Sequence, residues 1–265
     1  MTHEHIMAEN TVQETYEALY DGHCDEGLVK RIEARKRGEF SDEDLASIME
    51  WRTAKSYADI IKLNCAFLVG EREFSPYHMG PPYAETTPAI PILIRLHDYG
   101  ILTTNSQPSK TVGPHWKQCN CCPEWSWFHS RQRAFLTFLL PSPGELITTT
   151  DLAMFLGQIM GDDRIVTVCF NGETTLDPLP EQWETHENRK ADTPEGIADA
   201  EPAYAQAINP EDPDAIVHFA TDTNVMETIN PFYVSVLATS WDENNLPGVV
   251  EQAAIVSGLK RIFAS

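Results

Sequence analysis

Asn105, Ser106 and Gln107 stand in a row within "GILTTNSQPSKT", residues 100 to 111, behind two threonines and ahead of Pro108. All three side chains donate or accept hydrogen bonds. Polar residues at the end of a short apolar run such as "ILTT" sit where open α/β sheets hold their ligands. Arg131, Gln132 and Arg133 follow in "SRQRAF" and lead into the next apolar run. A guanidinium fork grips a carboxylate or phosphate through two parallel hydrogen bonds. If the two runs are neighbouring strands, an arginine approaches the Asn–Ser–Gln loop. Strand alternation then puts Arg131 and Arg133 on one face and Gln132 on the other. This pattern predicts a site for a small acidic or polar ligand at Asn105, Ser106, Gln107, Arg131, Gln132 and Arg133. The competing reading is a plain turn in which Asn105 and Ser106 satisfy backbone groups and Arg133 pairs with a surface acid.

Nucleophilic chemistry has weaker support. Ser106 does not lie in a G-x-S-x-G elbow. His97, His115 and His129 are candidate bases, but a nucleophile is recognised by geometry.

A second constellation is "HWKQCNCCPEWSWFH". Cys119, Cys121 and Cys122 lie between His115 and His129. Thiolates and imidazoles are the preferred ligands of zinc, and four of them close a tetrahedral site. Zinc is therefore the cofactor this stretch admits, with those five residues as candidate ligands. The spacing departs from paired C-x-x-C ribbons, although Cys119 and Cys122 form one such pair. A redox role would want that pair beside a βαβ unit. The alternative is a set of reduced cysteines packed under Trp116, Trp125 and Trp127. Zinc deamination does not fit, because its histidine–x–glutamate element should precede P-C-x-x-C.

The balance of charge narrows the partners. A formal net charge of -21 over 265 residues opposes nucleic acid and anionic membranes alike. No apolar run approaches the ~20 residues that span a bilayer, and the N-terminus "MTHEHIMAEN" does not read as a secretory signal. Irregularly spaced cysteines do not form a disulfide framework. The expectation is a soluble, cytoplasmic protein. Protein partners have two candidate surfaces, the aromatic stretch 116–128 and the acidic, proline-rich stretch 171–214.

Elements must position these groups. Residues 1–10 read as a mobile tail and 11–265 as one domain. Helices are expected over "TVQETYEALYDG" and "DEGLVKRIEARKRG", then over "SDEDLASIMEW" capped by Ser41. "SYADIIKLNCAFLVG" has Ser56 as cap, Asp59 at N3, and Tyr57, Ile60, Ile61, Cys65 and Leu68 at helical spacing. "TPAIPILIRLHDYG" predicts a helix from Thr87 and Pro88 to Gly100. Strands are expected at "ILTT", "RAFLTFLLP", "RIVTVCF", "AIVHFA" and "FYVSVLATS". A helix capped by Thr149 or Thr150 covers "TDLAMFLGQIMG", and a closing helix carries Lys260 and Arg261 in its last turns. Residues 105–130 read as a long loop and 171–214 as a surface excursion. His218 reads as a core or edge residue. Asp162–Asp163 reads as a turn, with divalent-metal binding as its alternative. The sum is an α/β or α+β fold: a mixed sheet of about five strands, packed helices and an N-terminal helical layer covering 11–71.

Residues 51–141 resemble an uncharacterised family associated with actinobacteria and some phages. The resemblance rests on Trp51 with Ser56, Ala58 and Asp59, on Gly100 to Pro108, on a tryptophan in the following loop, and on Gln132, Arg133 and Ala134. It implies no reaction. It implies that the "TTNSQP" stretch and the "QRA" stretch belong to one unit, with the cysteine cluster and the acidic excursion as additions. Two functions follow: binding, with or without transformation, of a small acidic or polar ligand, or a zinc-stapled interaction module without catalysis.

Overall fold

The computed structural model describes Glu17, Tyr20 and residues 24–76, 78–118, 125–141, 146–170, 173–174, 181–188, 202–207, 232–240 and 245–263; within 111–131 and 167–207 it describes the backbone alone. Six α-helices are described: α1 (Glu26–Lys36), α2 (Asp42–Arg52), α3 (Tyr57–Leu68), α4 (Ile90–Asp98), α5 (Thr149–Gly161) and α6 (Leu246–Val256). The strands are β1 (Leu102–Gln107), β2 (Lys110–Gln118), β3 (Trp125–Gln132), β4 (Phe135–Leu140), β5 (Ile165–Phe170), β6 (Glu173–Thr174), β7 (Glu181–Asn188), β8 (Pro202–Ala207) and β9 (Phe232–Ala238). They form a five-stranded sheet ordered β1-β4-β9-β5-β6 and a four-stranded sheet ordered β2-β3-β7-β8. Every described pairing is antiparallel. The fold is α+β, and the expectation of one mixed sheet of about five strands gives way to two antiparallel sheets.

The five-stranded sheet is apolar on both faces because helices cover both. Leu136, Phe138 and Leu140 of β4 join Val234 and Val236 of β9 in a cluster with Leu93 and Leu96 of α4, Phe155 of α5 and Val250 of α6. The alternate residues Leu139, Tyr233 and Leu237 join Trp51 of α2 and Tyr57, Ile60 and Ile61 of α3. Two covered faces explain why "FLTFLL" and "FYVSVLA" read as nearly continuous apolar runs. Arg95 of α4 forks onto Glu251 of α6 at 2.6 and 2.9 Å.

Capping chemistry sets several boundaries as expected. Ser41 and Asp44 form a reciprocal capping box on α2, and Ser56 caps α3 through the Asp59 amide. Elsewhere the boundary moves. α5 is capped by Thr148, not by Thr149 or Thr150. The helix expected from Thr87 begins as a 3-10 segment, Ala84–Ala89, and becomes α-helical only at Ile90. The closing helix ends at Val256, so Lys260 and Arg261 lie beyond its last turn. Gly100 adopts φ 77°, and the Ile101 amide reaches back to the Leu96 carbonyl. That left-handed residue turns the end of α4 directly into β1.

The stretch 105–130 is not a long loop. β1 runs through Asn105, Ser106 and Gln107, and β2 and β3 pair as a hairpin. Nor is 171–214 wholly irregular, since β6, β7 and β8 fall inside it. Residues 1–10, the cysteine cluster Cys119, Cys121 and Cys122, and His218 lie outside the described residues, as does most of the first expected helix.

Candidate functional site

Among the described strands β1 is an edge: β4 holds one side and none pairs with the other. Unpaired strand edges must be covered or satisfied. Here helix α3 and the segment 75–86 do this. Asn64 Nδ2 donates to the Thr103 carbonyl at 3.0 Å, and Thr86 Oγ1 donates to the Ser106 carbonyl at 3.4 Å. The cover leaves a cavity of about 260 Å³ between β1, α3 and that segment.

A bulge aims the strand into this cavity. Thr103 pairs with Phe138 and Asn105 with Thr137, so Thr104 is the extra residue. Its hydroxyl donates to the Thr137 carbonyl at 3.3 Å. An extra residue shifts the alternation by one position. Thr103 and Ser106 therefore share the face of Phe138 and Leu136, while Asn105 and Gln107 take the other.

Asn64 belongs to a buried network that fixes the start of β1. The Thr103 amide donates to His97 Nε2 at 3.2 Å, and the Thr103 hydroxyl lies 2.9 Å from the same nitrogen. Nε2 is thus an acceptor and Nδ1 carries the proton, facing Cys65 Sγ at 3.1 Å. His97 is fully buried, and burial pushes its pKa down to about 3. Burial, with the charge of Asp98, pushes the Cys65 thiol up to about 11. The pair is neutral and inert. His97 is a strut, which removes it as a candidate base.

The opposite wall carries His78. Ser75 and His78 close a tight turn through two backbone hydrogen bonds of 2.8 and 3.1 Å. His78 Nδ1 lies 2.9 Å from the Gly80 carbonyl oxygen. The Gly80 amide also lies 3.3 Å from Nδ1 and is oriented to donate to it, so both backbone groups of Gly80 engage this nitrogen. Nε2 is buried with no hydrogen-bond partner among the described residues. Burial lowers the pKa of His78, which keeps the ring neutral. Tyr83 holds the ring edge-on at a centroid distance of 4.3 Å.

A buried charge cluster pins this wall to the N-terminal helices. Arg35, with a side chain 2% exposed, bonds Asp44 Oδ1 through Nη2 at 2.6 Å and through Nε at 3.0 Å. It also bonds Glu73, donates to the Met79 carbonyl at 3.2 Å and lies over the Phe74 ring. Burial alone would raise the Asp44 carboxyl; hydrogen bonds from Arg35 and Ser41 outweigh it and hold the group below its usual range.

The expected site residues separate. Asn105, Ser106 and Gln107 line the cavity. Gln132 and Arg133 are not among its lining residues. β3 ends at Gln132 and β4 begins at Phe135, so the alternation assumed across 131–133 is broken. Arg133 Nη1 donates to the Thr239 carbonyl at 2.8 Å. Gln132 is buried at the end of β3. Only the backbone of Arg131 is described, opposite Glu184. Asp162 grips Arg164 at 2.7 and 2.9 Å.

Of the expected zinc ligands, His115 pairs in register with Phe128, and His129 with His186. The two histidines are not register partners of each other, and the cysteines between them lie outside the described residues. No group of three metal-binding side chains is found among the described residues.

Sequence reasoning missed Asn64, Ser75, His78, Tyr83 and Thr86. Two signals pointed to them. Asn64 is a polar residue on the apolar stripe of α3, where a buried amide must find a partner. His78 stands in "SPYHMGPPY", a proline- and glycine-rich stretch with no helical or strand period.

Residues 47–138 match the model of a domain of unknown function, DUF6919. Every residue that lines the cavity falls within that match, which spans about a third of the chain. An uncharacterised family is what the resemblance over 51–141 led us to expect. A search of curated proteins returns no match. No described helix is long and apolar enough to cross a membrane.

Proposed function

We propose that this protein binds a small, uncharged, polar ligand in the cavity at the open edge of β1. One observation carries the reading. Hydrogen-bonding side chains from four separate segments converge on one cavity: Asn64, His78, Thr86, Asn105 and Gln107. Small-molecule sites are concave, few, and oriented by a handful of such groups. Among the described residues no Asp, Glu, Lys or Arg lines it, and His78 is held neutral. The expectation of an acidic ligand depended on Arg131 and Arg133; Arg133 bonds the Thr239 carbonyl instead, so the reading adopted here is the polar one.

Thermal-shift assays test the proposal with neutral polyols, nucleosides and primary amides beside carboxylate and phosphate compounds. A neutral compound should raise Tm, and Gln107→Ala and Asn105→Ala should abolish the rise while the apo proteins stay folded. A response to anions alone, or one that both variants retain, would sink the proposal.

A further inference from the structure

A second cavity adjoins the first. Its volume is about 540 Å³, and it shares Thr86, Ser106 and Gln107 with its smaller neighbour. Its wall is different in kind. Pro88, Ala89, Ile92, Ala134 and Pro247 make most of it apolar. Lys110 and Glu85 are its charged residues, and they pair with each other at 2.9 Å. The larger cavity therefore presents no uncompensated charge to an occupant. Ala134 is the third residue of "QRA", so this cavity is where that segment meets the "NSQPSK" segment.

The partition is thin. Thr86 lies on the 3-10 turn and Ser106 on the edge strand, and one hydroxyl–carbonyl contact of 3.4 Å joins them. That distance is at the long end for a hydrogen bond. Thr86, Ser106 and Gln107 line both cavities, so an occupant that reaches both passes these three residues.

We infer that the ligand is amphiphilic, with an uncharged hydroxyl- or amide-bearing head among Asn64, His78 and Asn105 and an apolar chain lying over Gln107 into the larger cavity. The inference rests on the smaller cavity being a binding site and adds the chemical class of what enters it. A purely polar ligand would leave the larger apolar space to water. An apolar one would strip water from the polar side chains of the smaller cavity without replacing its hydrogen bonds.

A homologous series reads the two compartments separately. The full-length protein is titrated with glycerol and with 1-O-butyl-, 1-O-hexyl- and 1-O-octylglycerol below their micelle concentrations. Amide NMR shifts locate the binding and give Kd. Each methylene that enters the larger cavity should tighten binding roughly fourfold. Ala89→Trp fills that cavity, and should flatten the dependence while glycerol still shifts Asn105. Ile92→Phe serves the same purpose if the tryptophan variant does not fold. Equal affinity across the series, with Asn105 still shifted, overturns the amphiphile and leaves the polar site standing. A chain-length dependence that survives both filling variants places the chain elsewhere and also overturns it. No shift at Asn105 from any member overturns this inference, and the proposed function falls with it only where the wider neutral panel also leaves Tm unmoved.

Discussion

The Nδ1 nitrogen of His78 lies 2.9 Å from the carbonyl oxygen of Gly80, two residues along the same turn. The Gly80 amide lies 3.3 Å from the same nitrogen, so both backbone groups of one residue hold the ring. Nitrogen NMR of ring-labelled protein should show a neutral imidazole with a pKa below 6.5, because burial disfavours the imidazolium. A pKa at or above 6.5 would mean that water reaches the ring and that this wall is looser than its packing implies.

Gly80 serves that contact and a second one. A Cβ built there would meet Ile32 Cδ1 at 2.7 Å and Tyr20 Oη at 2.8 Å. Ile32 is 1% exposed, so it has little room to retreat. Gly80→Ala should cost about 1–3 kcal/mol, the usual penalty for overfilling a packed core. Urea denaturation measures it, and a change under ~0.5 kcal/mol would show that α1 does not hold the cavity wall as tightly as the packing implies.

Arg35 joins α1 to α2 and to the segment that carries His78. Removing one partner of a buried ion pair strands the other, at a cost of about 3–5 kcal/mol. Arg35→Met should lose stability on that scale. Asp44→Asn keeps a side-chain oxygen at the N3 position of α2. In the double variant no charged Asp44 is stranded, so its loss should be well below the sum of the two single losses. Strictly additive losses would show that Arg35 acts through its stem and its carbonyl contacts, not through the Asp44 charge.

What the sequence disclosed, and what it hid, follows from how local each determinant is. The caps Ser41 and Ser56 act within one helical turn, and both were legible. The covered strands β4 and β9 were legible as apolar runs. β2 and β3 were not, because Gly113 and Pro114 interrupt the pattern and the hairpin is fixed by pairing between chains of residues, not by either run alone. Asn105, Ser106 and Gln107 read as a loop because three polar residues seldom fill a strand. They fill this one because it is an edge whose open side faces a cavity. Arg133 was misplaced for the opposite reason: the two-residue period was carried across the break between Gln132 and Phe135, where it resets. Asn64 and His78 come from segments far from the "NSQP" stretch in sequence, and only the tertiary fold brings them to it.

The strut under β1 gives the protein a pH dependence that one substitution should reveal. His97 has a pKa of about 3 in the folded protein and 6.5 as its ordinary value. As pH falls below about 6.5 the unfolded chain takes up a proton at this residue and the folded chain does not. The stabilisation is therefore complete above about pH 6.5 and is lost progressively as pH falls toward 3. The slope for one such group is about 1.4 kcal/mol per pH unit. His78 is shifted in the same direction, so it adds to the wild-type slope. His97→Gln retains hydrogen-bonding groups near Thr103 but cannot titrate. Its absolute stability should be lower, because Cys65, Asn64 and Thr103 lose a shaped partner. Its pH slope should be shallower by about one proton. Urea unfolding of both proteins between about pH 7 and pH 4 separates the two effects, since carboxylates contribute equally to each. Parallel curves, offset but of the same slope, would mean that His97 is protonated in the folded state and that the Thr103 amide does not donate to it.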